Sequence, residues 1–173
     1  MNKVIIIGCP GSGKSTFAKK LQAKIELPLY HLDMLFWNSD KTHVTRDVFD
    51  QKLSKVLRQD HWIIDGNYSR TIETRLIECD TVFLLDLPVE DCLAGINNRM
   101  GKPRNDMPWI EQEIDEEFKN YVIDFPQKEL PRIYELLKKY DNKNKILNNK
   151  HTTITLTIKL TCFCFLNGIN DTI

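Results

Sequence analysis

The segment from Lys3 to Ile25 constrains this chain more than any other. Val4 to Ile7 is a short, continuous apolar run that stops at Gly8, the pattern of a buried parallel strand. From Lys14 onward, Phe17, Ala18, Leu21 and Ile25 recur at helical spacing. Between the two stands Gly8-Cys9-Pro10-Gly11-Ser12-Gly13-Lys14-Ser15-Thr16, which satisfies G-x-x-x-x-G-K-[ST]. The bare pattern arises by chance in about one chain in 150 to 200 of this length at average composition. The strand before it and the helix after it therefore carry the assignment. Glycines let the backbone wrap an anion with its N–H groups pointing inward, and the helix start adds the positive end of its dipole. The motif predicts a phosphate-binding loop in which Gly8, Pro10, Gly11, Ser12, Gly13, Lys14, Ser15 and Thr16 hold the phosphates of ATP. Lys14 is expected to reach the β and γ phosphates, and the Ser15 hydroxyl to sit on Mg2+. Cys9 is expected only to fill a variable position of the loop.

The rest of the chain alternates strand and helix signals. Leu29 to Leu32 reads as a second strand, and Thr45 as the N-cap of a helix running to about Leu57. Trp62 to Ile64 reads as a third strand ending at Asp65-Gly66, then a short helix near Thr71 to Ile77, then a strand from Thr81 to Leu87. Pro88 opens a further helix carrying Val89, Cys92, Leu93 and Ile96. Two more helices are expected, from Trp109 to about Val122 and from Leu130 to Tyr140. This order predicts an α/β fold of three layers: a mainly parallel sheet of about five strands between helices, with a short lid, in one domain over residues 1–173.

Composition narrows the function classes. Lys plus Arg is 24 and Asp plus Glu is 24, which argues against a protein that coats nucleic acid. The balance is uneven along the chain. All seven arginines lie between Arg46 and Arg132, and seven acids crowd residues 105–125 against the single base Lys119. The five cysteines include no CxxC pair, and the four histidines are scattered. That excludes zinc-ligand spacing and fits reduced thiols in the cytoplasm. Four apolar residues at Val4 to Ile7 are too few for a signal-peptide core, and no run reaches membrane-spanning length.

Two strand ends carry carboxylates, Asp65 and Asp86, and either could hold magnesium through water. Here residues 1 to about 140 resemble the small P-loop kinases of the adenylate-kinase-like group. The stretches Leu29-Tyr30-His31-Leu32-Asp33-Met34-Leu35-Phe36-Trp37 and Trp62-Ile63-Ile64-Asp65-Gly66-Asn67-Tyr68-Ser69-Arg70 most closely resemble the proteins known as DNA topology modulation proteins. The resemblance implies that Asp65 is the acid on the magnesium side. It implies a lid at about 99–108 whose Arg99 and Arg104 close over ATP and stabilise the transferring phosphoryl group. The acidic helix expected after it would be mainly a solvated face, able to pair with the lid arginines in one state.

The acceptor side admits two designs. A hydroxyl acceptor needs a carboxylate to take its proton, and Asp33 suits that role as base or anchor. A phosphate acceptor needs cationic clamps, for which Arg70 stands first, Arg75 and Arg46 behind it. Trp37 and Tyr68 could line a flat pocket; His31 is expected to be structural. The expected activity is transfer of the γ-phosphoryl group of Mg-ATP to a small-molecule or nucleotide acceptor, by a monomer or homodimer without membrane contact. An ATP-binding regulator acting on DNA topology, with weak or no kinase activity, remains the alternative. After about Asn144 the resemblance is lost. In residues 141–173, Asn, Thr and Ile supply 17 of 33 positions. This tail could be an added edge strand near residues 152–166, or the product of a changed reading frame.

Overall fold

Alternate residues of the first strand feed opposite sides of a sheet, and this sets the layers of the fold. In the computed structural model, which describes residues 1–140 and 144–148, β1 spans Lys3–Gly8. Val4 and Ile6 join Ala18, Leu21, Ile63 and Phe83 in one cluster, while Ile5 and Ile7 join Leu53, Trp62, Leu76 and Ile96 in another. Both faces are therefore covered, as a continuous apolar run requires.

Helix α1 (Lys14–Ile25) covers the first face. The second face is covered by α3 (Arg46–Leu57), α4 (Ile72–Glu78), α5 (Val89–Arg99), α6 (Glu116–Lys128) and α7 (Leu130–Lys139). A five-residue helix, α2 (Leu32–Phe36), follows β2 (Leu29–His31) directly. With β3 (Trp62–Asp65), β4 (Thr81–Leu85) and β5 (Asn144–Asn148), the sheet has the order β2-β3-β1-β4-β5, and every pairing is parallel. The alternation of elements predicted this α/β architecture. Asp65 stands opposite Ile6 in the β1–β3 register, which sets the end of β3 beside the start of the phosphate-binding loop.

Local signals set several boundaries. The Thr45 hydroxyl accepts the Val48 N–H at 3.4 Å and caps α3 as expected. The helix expected from Trp109 does not form there. Residues 109–115 lack helical structure, and α6 starts only after Asp115, whose carboxylate accepts the Phe118 N–H at 2.7 Å. That helix also runs on to Lys128 past Pro126. A proline has no N–H for the carbonyl four residues earlier, here Val122. The buried Cys9 thiol donates to that carbonyl at 3.9 Å, so Cys9 ties the loop to α6 rather than merely filling space. The strand pattern at 152–166 lies outside the described residues.

The loop is held most closely by α5. A Cβ on Gly11, whose φ is +82°, would lie 2.0 Å from the Cys92 carbonyl oxygen. One on Gly95 would lie 2.1 Å from the Gly11 carbonyl oxygen. Two backbones meet there with no room for a methyl group. Gly95→Ala tests this contact by sign. Helix propensity alone would stabilise the variant by about 1 kcal/mol. The close approach predicts the opposite: a lower melting temperature and ATP binding weakened about tenfold, ~1.4 kcal/mol, measured by calorimetry.

Candidate functional site

The loop, the ends of β2 and β3, and the segment after α5 surround one cleft of about 580 Å³. A second groove, of about 300 Å³, runs over Gly11, Gly13, Lys14, Ser15 and Thr16 and is bordered by Gly95, Arg99, Arg104 and Asp106. Lys14, Ser15, Arg99, Arg104 and Asp106 border both cavities. Lys14 is half-buried, and its ammonium donates to the Cys9 carbonyl at 2.8 Å, folding back over the loop. Burial lowers its pKa, against the opposing pull of Asp65.

Asp65 is 4% exposed, and His31 shares a hydrogen bond with its Oδ2 at 2.8 Å. Its Oδ1 is buried without a hydrogen-bond partner. A buried carboxylate oxygen left this way is costly unless something cationic or protic meets it. With the Ser15 hydroxyl on the same cleft, the donor set fits a hard cation such as Mg2+ held by oxygen and water. Asp86 is outside this cleft: the Tyr134 hydroxyl donates to it at 2.7 Å on the surface. His31, expected to be structural, is the group that orients Asp65.

Asp33 occupies the first turn of α2, where it lines the cleft. The Tyr68 hydroxyl donates to its Oδ1 at 2.9 Å. Burial pushes the Asp33 carboxyl above the usual range, and the Tyr68 hydrogen bond opposes that shift only in part. Trp37 lies at the cleft wall. Its ring meets Trp109 edge-on at 5.4 Å and Phe36 at 4.9 Å, and Phe36 meets Tyr68 at 5.3 Å. The Trp37–Trp109 contact ties the end of α2 to the segment after the expected lid.

Both arginines of the expected lid are engaged. Arg99 pairs with Glu111: Nη2 donates to Oε1 at 3.1 Å, and Nε lies 3.0 Å from Oε2 without completing a hydrogen bond. Arg104 Nη1 lies 3.1 Å from the same Oε2, and Nη2 lies 3.4 Å from Asp106. Asp106 also meets Lys19 of α1 at 3.6 Å, which draws the segment down onto the loop helix. Burial pushes the Asp106 carboxyl up, but Arg104, a Ser15 hydrogen bond and Lys19 outweigh it and hold it below the usual range. Burial and the neighbouring Arg104 lower the Arg99 pKa.

Two expected clamps lie elsewhere. Arg70 is half-exposed on the outer surface and pairs with Asp50, its Nη1 3.0 Å from Oδ2, so it does not reach the cleft. Arg75 is 0% exposed. It donates to the carbonyls of Gly66, Asn67, Tyr68 and Thr71, which fixes the turn after β3. Sequence reasoning missed Asp106, Trp109, Asn67 and Tyr121 at the cleft, and took Glu111 mainly for part of a solvated face.

Comparison with known proteins agrees with the loop and fold. Residues 1–64 match the family described as chromatin associated protein KTI12. Two adenylate kinases of Thermotoga neapolitana are each 27% identical over 88 residues, 50% of this chain. The match spans only 39% of those relatives' length. Fold, loop and comparisons together support a nucleotide-binding P-loop protein. Among the described residues, no helix is long and apolar enough to cross a membrane.

Glu111 pairs with both arginines at the border of the groove over the phosphate-binding loop. Glu111→Gln is expected to tighten ATP binding about fivefold, ~1 kcal/mol for partly screened ion pairs. Weaker binding in the same titration would show that Glu111 orients the arginines instead of competing for them.

Proposed function

We propose that the protein transfers the γ-phosphoryl group of Mg-ATP to a small acceptor held in the 580 Å³ cleft. One observation carries this reading. The loop lysine Lys14, Arg99 at the end of α5 and Arg104 from the segment after it line a space that the carboxylates Asp33 and Asp65 also line. Phosphoryl transfer asks mainly for positioning and for cations around a spread negative charge, and this cleft supplies both.

In the proposed cycle the loop N–H groups cradle the β phosphate, and the Lys14 ammonium leaves the Cys9 carbonyl for the β and γ phosphates. Arg99 and Arg104 exchange Glu111 and Asp106 for the γ-phosphoryl oxygens. Ser15 and Asp65 would hold Mg2+, which neutralises charge between the β and γ phosphates when bound. Gly101 and Pro103 lie between the two arginines, in a segment after α5 without helical or strand structure, suited to closing over the nucleotide and keeping water out. Asp33 faces the acceptor: it takes the proton of an attacking hydroxyl, or anchors the acceptor beside the γ phosphate.

Lys14→Ala is expected to leave the circular dichroism spectrum unchanged while lowering γ-phosphoryl transfer about 10³-fold. Arg99→Ala and Arg104→Ala are each expected to lower kcat more than they raise KM for ATP. Full transfer by Lys14→Ala would sink the proposal.

A further inference from the structure

The acceptor side of the cleft has a charge pattern that selects a chemical class, if the phosphoryl-transfer reading above holds. The cations must be divided first. Lys14, Arg99 and Arg104 all border the groove over the phosphate-binding loop as well, so they serve the donor. The one other basic residue lining the cleft among the described residues is Lys41, an exposed side chain at its rim. The guanidinium groups that could have gripped an acceptor phosphate are elsewhere: Arg70 is on Asp50, and Arg75 is spent on backbone carbonyls. A monophosphate dianion would find no bidentate partner here. It would instead face Asp33, with Glu113 and Asp115 at the rim.

What the same wall offers is different. Phe36, Trp37, Tyr68 and Trp109 give it flat apolar faces. Such faces hold a ring, and Trp attracts a cation. The Tyr68 hydroxyl donates to Oδ1 of Asp33, and Oδ2 makes no hydrogen bond among the described residues. Asn67 is 9% exposed, and neither amide atom completes a hydrogen bond, although the Tyr121 hydroxyl lies beside it. A buried amide of this kind fits a ligand hydroxyl or amine.

We infer that the acceptor is a phosphate-free ring compound bearing a hydroxyl group, neutral or carrying an amine, and not a nucleoside monophosphate. The acceptor hydroxyl oxygen attacks the γ phosphorus and its proton passes to Asp33. The bond from the γ phosphorus to the β–γ bridging oxygen breaks, and ADP leaves with that electron pair. The rim acids Glu113 and Asp115 favour the aminated members of the class, and the Trp37 and Trp109 faces favour those with a flat ring.

The test is acceptor labelling with γ-labelled Mg-ATP. Nucleosides and amino sugars form one panel, and the corresponding nucleoside monophosphates the other. The expected result is label in a phosphate-free acceptor. Asp33→Asn should then lower kcat about 10²- to 10⁴-fold with ATP affinity unchanged within twofold, and Arg70→Ala should leave turnover unchanged. Label in nucleoside diphosphates, with a tenfold or greater loss in Arg70→Ala, overturns the acceptor assignment and leaves the transfer reading standing. Label confined to inorganic phosphate overturns the assignment as well. No label in any product overturns both readings. A binding measurement checks the class without turnover. With the donor site saturated by a non-hydrolysable Mg-ATP analogue, tryptophan fluorescence should report adenosine binding at least tenfold tighter than AMP. A Trp37→Phe variant identifies the reporting ring. The reverse order of affinities contradicts the inference.

Discussion

Backbone against backbone at Gly11 and Gly95 is the contact on which the arrangement of the site depends. With no side chain between them, α5 is held at a fixed distance and rotation relative to the loop. Cys92, Gly95, Ile96 and Arg99 follow at the spacing of one helix face. The face that touches the loop at Cys92 and Gly95 therefore brings Arg99 over the phosphate groove one turn later. The parallel pairing of β1 with β3 does the same for Asp65 on the other side of the loop. Two packing constraints thus bring a cation and a carboxylate from distant parts of the chain to one place.

Charge neutrality is enforced locally as well as over the whole chain. Arg99 and Arg104 are largely buried under the segment that follows α5, and leaving them unpaired there would be costly. Glu111 and Asp106 supply the balancing charge, and the Asp106–Lys19 pair ties the segment to α1. A triphosphate offers the same arginines a stronger partner, since phosphate oxygens match the guanidinium fork as a carboxylate does but carry more charge. In the proposed cycle the acids stand in for phosphate, and the arginines exchange one anion for another without exposing bare charge.

Much of this was readable in the sequence because it rests on local chemistry. The apolar run at Val4 to Ile7, the glycines and lysine of the loop, Thr45 as a cap and the strand ending at Asp65 each carry their signal within a few residues. What was not readable depends on contacts between distant segments. Arg70 and Arg75 look alike in sequence. One meets Asp50 on the surface, and the other lies fully buried beneath the turn it supports. The acidic stretch near Glu111 has the composition of a solvated helix face. It stays out of the helix, with Glu111 paired to Arg99 and Arg104 and Asp115 capping the helix only from Glu116 onward. Gly95 reads as a weak point in a helix until Gly11 is seen against it.

The proposed phosphoryl transfer requires one cleft to bring a nucleoside triphosphate and an acceptor together under Arg99 and Arg104. A crystal structure with a non-hydrolysable Mg-ATP analogue measures this most directly. The γ phosphate is expected among Lys14, Arg99 and Arg104, with Glu111 released from both arginines and the Asp33 carboxylate facing the γ phosphorus across the open half of the cleft. A triphosphate bound away from the loop, or one bound there with Glu111 still holding both arginines and Asp33 turned away, would contradict it.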